Sequence, residues 1–143
     1  MPIEENKNWE DCRKRKPIPK AMRQRVYAKY NGHCAYCGKE IKYEEMQVDH
    51  IIPVMKSYYG IKEDAEKVRQ MMVDGSFNDF GNFMPSCRAC NYYKGMGDIE
   101  TLRQRIQTQL DHTCRSSFQT RLAMQYGMIE YKPWDGKFYF ETI

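Results

Sequence analysis

Apolar residues recur along the chain with two spacings, one typical of helices and one of strands. Ile61, Ala65, Val68 and Met72 are three or four positions apart, which predicts a helix over about 62–73. The other elements expected in the first two-thirds are a helix at about 20–30, a strand at 46–52 closed by Pro53, a short strand at 82–85, and a helix from Cys87 to about Lys94.

The last third of the chain predicts two more helices and a hairpin. One helix carries Ile99, Leu102, Ile106 and Leu110, and the other carries Phe118, Leu122, Tyr126 and Ile129. Aromatic residues then alternate on both sides of Asp135-Gly136, a turn signal that favours a C-terminal β-hairpin. These aromatic side chains are expected to pack against the C-terminal helices.

Composition narrows the class of protein. Hydrophobic residues make up 41% of the 143, so one domain with a thin core is expected. The longest apolar run is 51–55, too short for a membrane span, and the polar start carries no secretion signal. A reducing, cytoplasmic compartment is therefore expected, in which cysteines serve as metal ligands more often than as disulfides.

Charge is concentrated near the start of the chain. The formal net charge is only +4, yet residues 7–29 hold nine basic residues against two acidic ones. This basic arm suits the phosphates of DNA, with Arg23 and Arg25 as candidate contacts. The alternative is a solvated charged face.

Four of the six cysteines form two matched pairs with the spacing of a zinc site. Cys34 and Cys37 make one CxxC knuckle, and Cys87 and Cys90 make the other. Four thiolates in two such knuckles suit a tetrahedral Zn²⁺ ion, and a set of four cysteines leaves no open position, so the zinc is structural. Cys12 and Cys114 are left as ordinary thiols, and His33 is a less favoured substitute ligand.

A group of polar residues accompanies these knuckles. Asp49 is a hard oxygen donor, and its neighbour His50 has a side chain suited to taking a proton near neutral pH. Asn82 precedes the second predicted strand, and Asn91 offers an amide oxygen just after Cys90. Adjacent residues of a regular strand face opposite ways, so Asp49 and His50 share one site only if the strand ends or twists there.

The blocks Val48-Asp49-His50-Ile51-Ile52-Pro53 and Asn82 to Gly95, with both knuckles in order, resemble the HNH endonuclease signature. The resemblance covers about residues 20–97 and points to the zinc-bearing branch. Because Asn91 stands where the final histidine often lies, the chain resembles an H-N-N variant. The implied fold class is α+β: a ββα-metal (His-Me finger) core with a four-cysteine zinc site and flanking helices.

The resemblance implies a role for each matching residue. His50 matches the general base that activates water, and Asp49 and Asn91 match the ligands of one catalytic divalent ion. Asn82 matches the middle asparagine, which steadies the loop and the histidine. The implied function is metal-dependent hydrolysis of DNA phosphodiester bonds, leaving 5′-phosphate and 3′-hydroxyl ends. The oxygen donors favour Mg²⁺ or Mn²⁺ over Zn²⁺ in catalysis.

The sequence is also compatible with other roles for some of these residues and with other classes of protein. Lys94 and Arg88 lie near Asn91 and are candidate phosphate contacts or simply solvated charges. A zinc-stabilised nucleic-acid-binding module without catalysis shares the knuckles and the arm but has no need of Asp49, His50 and Asn91. A protein-interaction zinc module is a third, less favoured class.

The expected organisation has three parts. Residues 1–19 form a basic arm, 20–97 form the nuclease core with a helical insertion at about 54–81, and 98–143 form helices and a hairpin packed on the core. A phage or bacterial setting is expected by analogy alone, and the sequence is compatible with a monomer or a homodimer.

Overall fold

The computed structural model describes residues 17–53 and 65–143. Its helices and strands are, in chain order, α1 (Lys20–Ala28), β1 (Gln47–His50), α2 (Ala65–Asp74), β2 (Phe83–Ser86), α3 (Arg88–Lys94), α4 (Ile99–Ser116) and α5 (Phe118–Gln125). The predicted α+β class is therefore confirmed. Most of the predicted basic arm (1–16) and the segment 54–64 of the predicted insertion lie outside the described residues.

The two strands form a small antiparallel sheet at the centre of the fold. Val48 pairs with Pro85 and His50 pairs with Phe83, and α3 follows β2 directly. Cys87 caps the start of α3, where its sulfur accepts a hydrogen bond from the backbone N–H of Cys90 at 3.4 Å. This order of strand, strand and helix is that of a ββα-metal fold.

Two hydrophobic clusters support the sheet. The larger one joins α1, the first knuckle, β2, α4 and the tail, with Val26, Phe83, Leu102 and Phe138 almost completely buried. The smaller one packs Val68 and Met71 of α2 and Phe77 against Ile52, just after β1. Helix α2 thus has its own apolar contacts on the connection between the strands. None of the described helices is long and apolar enough to cross a membrane.

The predicted C-terminal hairpin is wrong. Residues 130–138 form no strand, and the chain ends in a 3₁₀ turn at Tyr139–Glu141. The backbone N–H groups that a hairpin would pair locally are bonded elsewhere: Tyr139 donates to the carbonyl of Tyr36 at 3.0 Å and Phe140 to that of Ala35 at 2.9 Å. The tail therefore binds the first knuckle, which in turn binds β2 through Ala35 N–H and Pro85 O at 2.9 Å.

Candidate functional site

The four knuckle cysteines converge on one point. The sulfur atoms of Cys34, Cys37, Cys87 and Cys90 all lie within 4.8 Å of one another. Gly38 gives the first knuckle its tight turn, since its φ of 76° is in the left-handed region and a Cβ there would lie 2.9 Å from the Tyr139 ring. The second knuckle uses the start of α3, so a loop and a helix end supply two sulfurs each.

The sulfur geometry fits a zinc ion. Sulfurs at ~2.3 Å from a tetrahedral zinc lie about 3.8 Å apart, and those of Cys37 and Cys87 are separated by 3.9 Å. The hydrogen bond from the Cys90 thiol lowers the pKa of Cys34 to about 4, so one thiolate is favoured even among neutral partners. Burial raises the pKa of Cys37. Holding four thiolates together in this small space requires a cation, which is the role expected of zinc.

Among the described residues, Cys114 and His33 are not part of this cluster. Cys114 contacts the Met124 sulfur at 3.2 Å, and Cys12 lies outside the described residues. The Nδ1 atom of His33 lies 3.2 Å from the Tyr30 carbonyl oxygen, and the His33 ring faces Tyr139.

Asp49 is a buried residue of β1. The residue is 5% exposed, and its carboxylate accepts a hydrogen bond from the hydroxyl of Tyr36 in the first knuckle. Burial raises the pKa of the Asp49 carboxyl, while the positive charge of Lys94 opposes that shift. Burial also raises the pKa of Tyr36, together with the negative charge of Asp49, so the phenol stays protonated and donates.

Lys94 does not face a phosphate as predicted. Its side chain is fully buried, and Nζ lies 3.3 Å from Oδ1 and 3.2 Å from Oδ2 of Asp49. The same Nζ donates to the backbone carbonyl of His50 at 2.8 Å. Helical spacing placed Lys94 on one side of α3 with Asn91, but packing against β1 turns that side inward and pairs the ammonium with the carboxylate.

His50 closes β1 and is only half-buried. Its Nε2 atom lies 3.3 Å from Oδ1 of Asn78, and its ring packs edge-on against Phe83 at 5.1 Å between centroids. Because the strand ends at His50, the alternation that separates neighbouring side chains ends there too. Asn78 is a neighbour that the sequence analysis missed, since it lies in a short polar turn without a motif.

The Asn82 side chain is hydrogen-bonded to the loop that follows β1. Its Oδ1 accepts from Ile52 N–H at 2.9 Å, and its Nδ2 donates to the carbonyls of Ile52 and Phe77 at 2.9 and 3.0 Å. These bonds tie the two ends of the long connection together beside His50. Asn91 is half-buried on α3, one turn before Lys94.

The three candidate arginines have different surroundings. Arg23 is half-buried and donates to the backbone carbonyls of Tyr43 and Met46, so its guanidinium holds this turn. Arg25 is exposed and stacks over the Phe80 ring at 4.3 Å, with Lys29 over the same ring at 4.9 Å. Arg88 is exposed on α3.

One segment of the chain is similar to a known protein family. Residues 34–67 match the model of the HNH endonuclease family. The match contains the first knuckle, Asp49 and His50, and it confirms the resemblance to HNH endonucleases. It supports nuclease activity in general.

Similarity to curated proteins and to solved structures is limited. A search of curated proteins finds no match. Among solved structures, the crystal structure of the type II-C Cas9 enzyme from Actinomyces naeslundii is similar, at 24% sequence identity and a TM-score of 0.43. The alignment covers 70% of this chain, which spans 10% of the length of that Cas9 chain.

Proposed function

We propose that this protein is a metal-dependent endonuclease that hydrolyses phosphodiester bonds of DNA. The observation that carries the proposal is the family match over a segment that contains Asp49 and His50 at the end of β1, beside the cysteine cluster. A half-buried histidine at a strand end is accessible to water while its ring is held by packing.

His50 is the proposed general base. Its Nε2 atom lies 3.3 Å from Oδ1 of Asn78, a contact that helps to orient the ring. A neutral imidazole has one ring nitrogen with a lone pair, and that nitrogen takes the proton from the attacking water. Asn82 acts as a positioning residue, because its three hydrogen bonds fix the loop that follows His50.

Asp49 and Asn91 are the proposed holders of the catalytic ion. Carboxylate and amide oxygens are donors that suit Mg²⁺ and Mn²⁺. A divalent ion bound there would neutralise the charge that develops on the phosphate and on the leaving 3′ oxygen. The products would carry 5′-phosphate and 3′-hydroxyl ends.

The proposed DNA contacts are exposed cations on α1 and α3. Arg25 lies over the face of Phe80, which lies between Asn78 and Asn82 along the chain, and Arg88 lies at the start of α3. Lys94 and Arg23 are left out of this set because both are bound within the protein. The proposed organisation is a nuclease core of residues 20–97 supported by 98–143, as the tail-to-knuckle hydrogen bonds suggest.

A second candidate is a zinc-stabilised nucleic-acid-binding module without catalysis. The observation that favours it is the ion pair between Asp49 and Lys94, which already balances the charge of the proposed metal ligand.

Plasmid cleavage separates the two candidates. Purified protein is incubated with supercoiled plasmid and Mg²⁺, Mn²⁺ or Zn²⁺, beside Asp49→Asn. The nuclease proposal expects cleavage with Mg²⁺ or Mn²⁺ that Asp49→Asn abolishes. Binding without cleavage in every metal would favour the second candidate, and cleavage with Zn²⁺ alone would overturn the preference for Mg²⁺ or Mn²⁺.

A further inference from the structure

The Asp49 carboxylate is held from two directions by buried groups. The Tyr36 hydroxyl donates to Oδ2, and Lys94 Nζ lies 3.3 Å from Oδ1 and 3.2 Å from Oδ2. Tyr36 is 3% exposed, Asp49 5% and Lys94 0%. A carboxylate held at both oxygens has one orientation, since rotation would break hydrogen bonds that water cannot replace in the interior.

Both of these groups belong to segments that the cysteine cluster fixes. Tyr36 lies between Cys34 and Cys37 in the first knuckle, and Lys94 lies on the helix that the second knuckle begins. The Tyr36 ring packs edge-on against Phe138, and its backbone carbonyl accepts a hydrogen bond from the tail. The position of the Tyr36 hydroxyl is therefore set by the cluster and its surroundings rather than by Asp49 alone.

These contacts do not use every acceptor position of the Asp49 carboxylate. An ionised carboxylate offers about four acceptor sites, and the hydrogen bonds from Tyr36 and Lys94 use two. Partners that orient a ligating carboxylate typically change metal affinity about 10–100-fold when they are removed. Tyr36 and Lys94 are therefore suited to fix the orientation of the Asp49 carboxylate as a metal ligand.

We propose that Tyr36 is a positioning residue that couples the four-cysteine cluster to the divalent ion at Asp49, with Lys94 bracing the same carboxylate. This inference rests on the proposed function, because it takes Asp49 as a ligand of the catalytic ion. It goes beyond that function by giving the structural zinc site a second role, which is to orient the active-site carboxylate through Tyr36.

Mn²⁺ binding tests the inference without relying on activity. The affinity of the full-length, zinc-loaded protein for Mn²⁺ is measured by electron paramagnetic resonance for wild type, Tyr36→Phe and Asp49→Asn. Tyr27→Phe is the matched control, because its hydroxyl donates to the Ile41 carbonyl at 2.9 Å and not to Asp49. Tyr36→Phe keeps the ring that packs on Phe138, so zinc content is expected to be unchanged.

The expected result is an Mn²⁺ dissociation constant about 10-fold higher in Tyr36→Phe than in wild type, with Tyr27→Phe unchanged. In cleavage assays the half-saturating Mn²⁺ concentration should rise by the same factor, while the rate at saturating Mn²⁺ stays near wild type. Equal Mn²⁺ affinity in Tyr36→Phe and wild type would overturn the inference. Wild-type binding that Asp49→Asn does not reduce would instead overturn the proposed function.

The coupling between the Asp49 site and the cysteine cluster is also measured in the opposite direction, in protein that retains Tyr36. Because coupling between two sites is reciprocal in binding free energy, Mn²⁺ bound at Asp49 should tighten the binding of zinc by the cluster. A reagent that modifies only zinc-free cysteines should then react more slowly. In a Cys12→Ser, Cys114→Ser background, saturating Mn²⁺ should slow modification of the cluster cysteines by a thiol reagent several-fold, and Asp49→Asn should remove this effect. A rate that Mn²⁺ leaves unchanged would contradict the coupling.

Discussion

At the scale of single residues, the buried charge of Lys94 has the largest structural consequence. Its ammonium is completely enclosed and is balanced by the Asp49 carboxylate and the His50 carbonyl. Breaking one half of a buried pair leaves the other charge unsolvated, which costs more than the pair itself contributes.

Replacing Lys94 with methionine is therefore expected to lower the free energy of unfolding by about 3–5 kcal/mol. Urea denaturation of the zinc-loaded protein measures the change, with Lys132→Met, at an exposed position, as control. A loss below about 1 kcal/mol, the range of exposed ion pairs, would mean that Asp49 does not depend on Lys94.

The residues whose proximity the sequence could predict are adjacent in the chain or regularly spaced. Asp49 and His50 are neighbours, and each pair of cysteines is separated by two residues, so local spacing alone indicates shared chemistry. The surroundings of Arg23 and Lys94 depend instead on partners 20 or more positions away in the chain. Such partners are set by packing, which spacing does not encode.

Arg25 is expected to contribute a phosphate contact. Arg25→Ala should weaken DNA binding and reduce the slope of log affinity against log salt by about 1, because one fewer counterion is released. Arg115→Ala is the control, because its side chain is 79% exposed near the end of α4, a helix that carries no proposed DNA contact. An unchanged salt slope in Arg25→Ala would argue against the contact.

At the scale of elements, the tail is held to helix α4 by one bidentate ion pair. The guanidinium of Arg103 donates to both Glu141 oxygens, at 2.8 and 2.7 Å, and lies over the Phe138 ring at 4.8 Å. The alternation around Asp135-Gly136 correctly placed a turn, where Lys137 N–H bonds Asp135. This alternation could not predict that the backbone after the turn would form hydrogen bonds with the first knuckle. That contact joins residues about a hundred positions apart.

Glu141→Gln is expected to lower stability in a pH-dependent way. The hydrogen bond from Arg103 lowers the pKa of Glu141 in the folded state. Its contribution is therefore complete above the ordinary glutamate pKa of about 4.3 and is lost as pH falls through the lower folded value. Because the pair is partly exposed, wild type should exceed Glu141→Gln by about 1 kcal/mol or less at pH 7.

Thermal unfolding of both proteins between pH 3 and pH 7 measures this difference. The two unfolding curves should converge as the solution becomes more acidic. A gap of constant size across that range would show that the ion pair does not stabilise the tail.

At the scale of the whole molecule, the cysteine cluster compensates for a modest core. Hydrophobic residues form 41% of the chain, and both apolar clusters of the described residues pack against Ile51, just after β1. The cluster joins the loop after α1 to the start of α3, and the tail binds the same knuckle, so a zinc ion bound by the cluster would hold distant parts of the chain together.

Cys87→Ser should accordingly lose zinc and stability together. Mass spectrometry and thermal unfolding measure both, and Cys114→Ser, which lies outside the cluster, is expected to retain zinc. A zinc-free Cys87→Ser protein with the stability of wild type would contradict the structural role of the metal.

The central claim is that His50 activates water in a nuclease. The single-turnover rate of DNA cleavage by a His50 variant tests this claim most directly. His50→Ala is compared with wild type and with His112→Ala, the exposed histidine of α4, at saturating Mg²⁺ or Mn²⁺. Loss of a general base predicts a rate at least ~100-fold lower in His50→Ala, with zinc content, unfolding temperature and DNA affinity retained. His112→Ala should cleave as wild type does. Cleavage by His50→Ala at the wild-type rate would contradict the account.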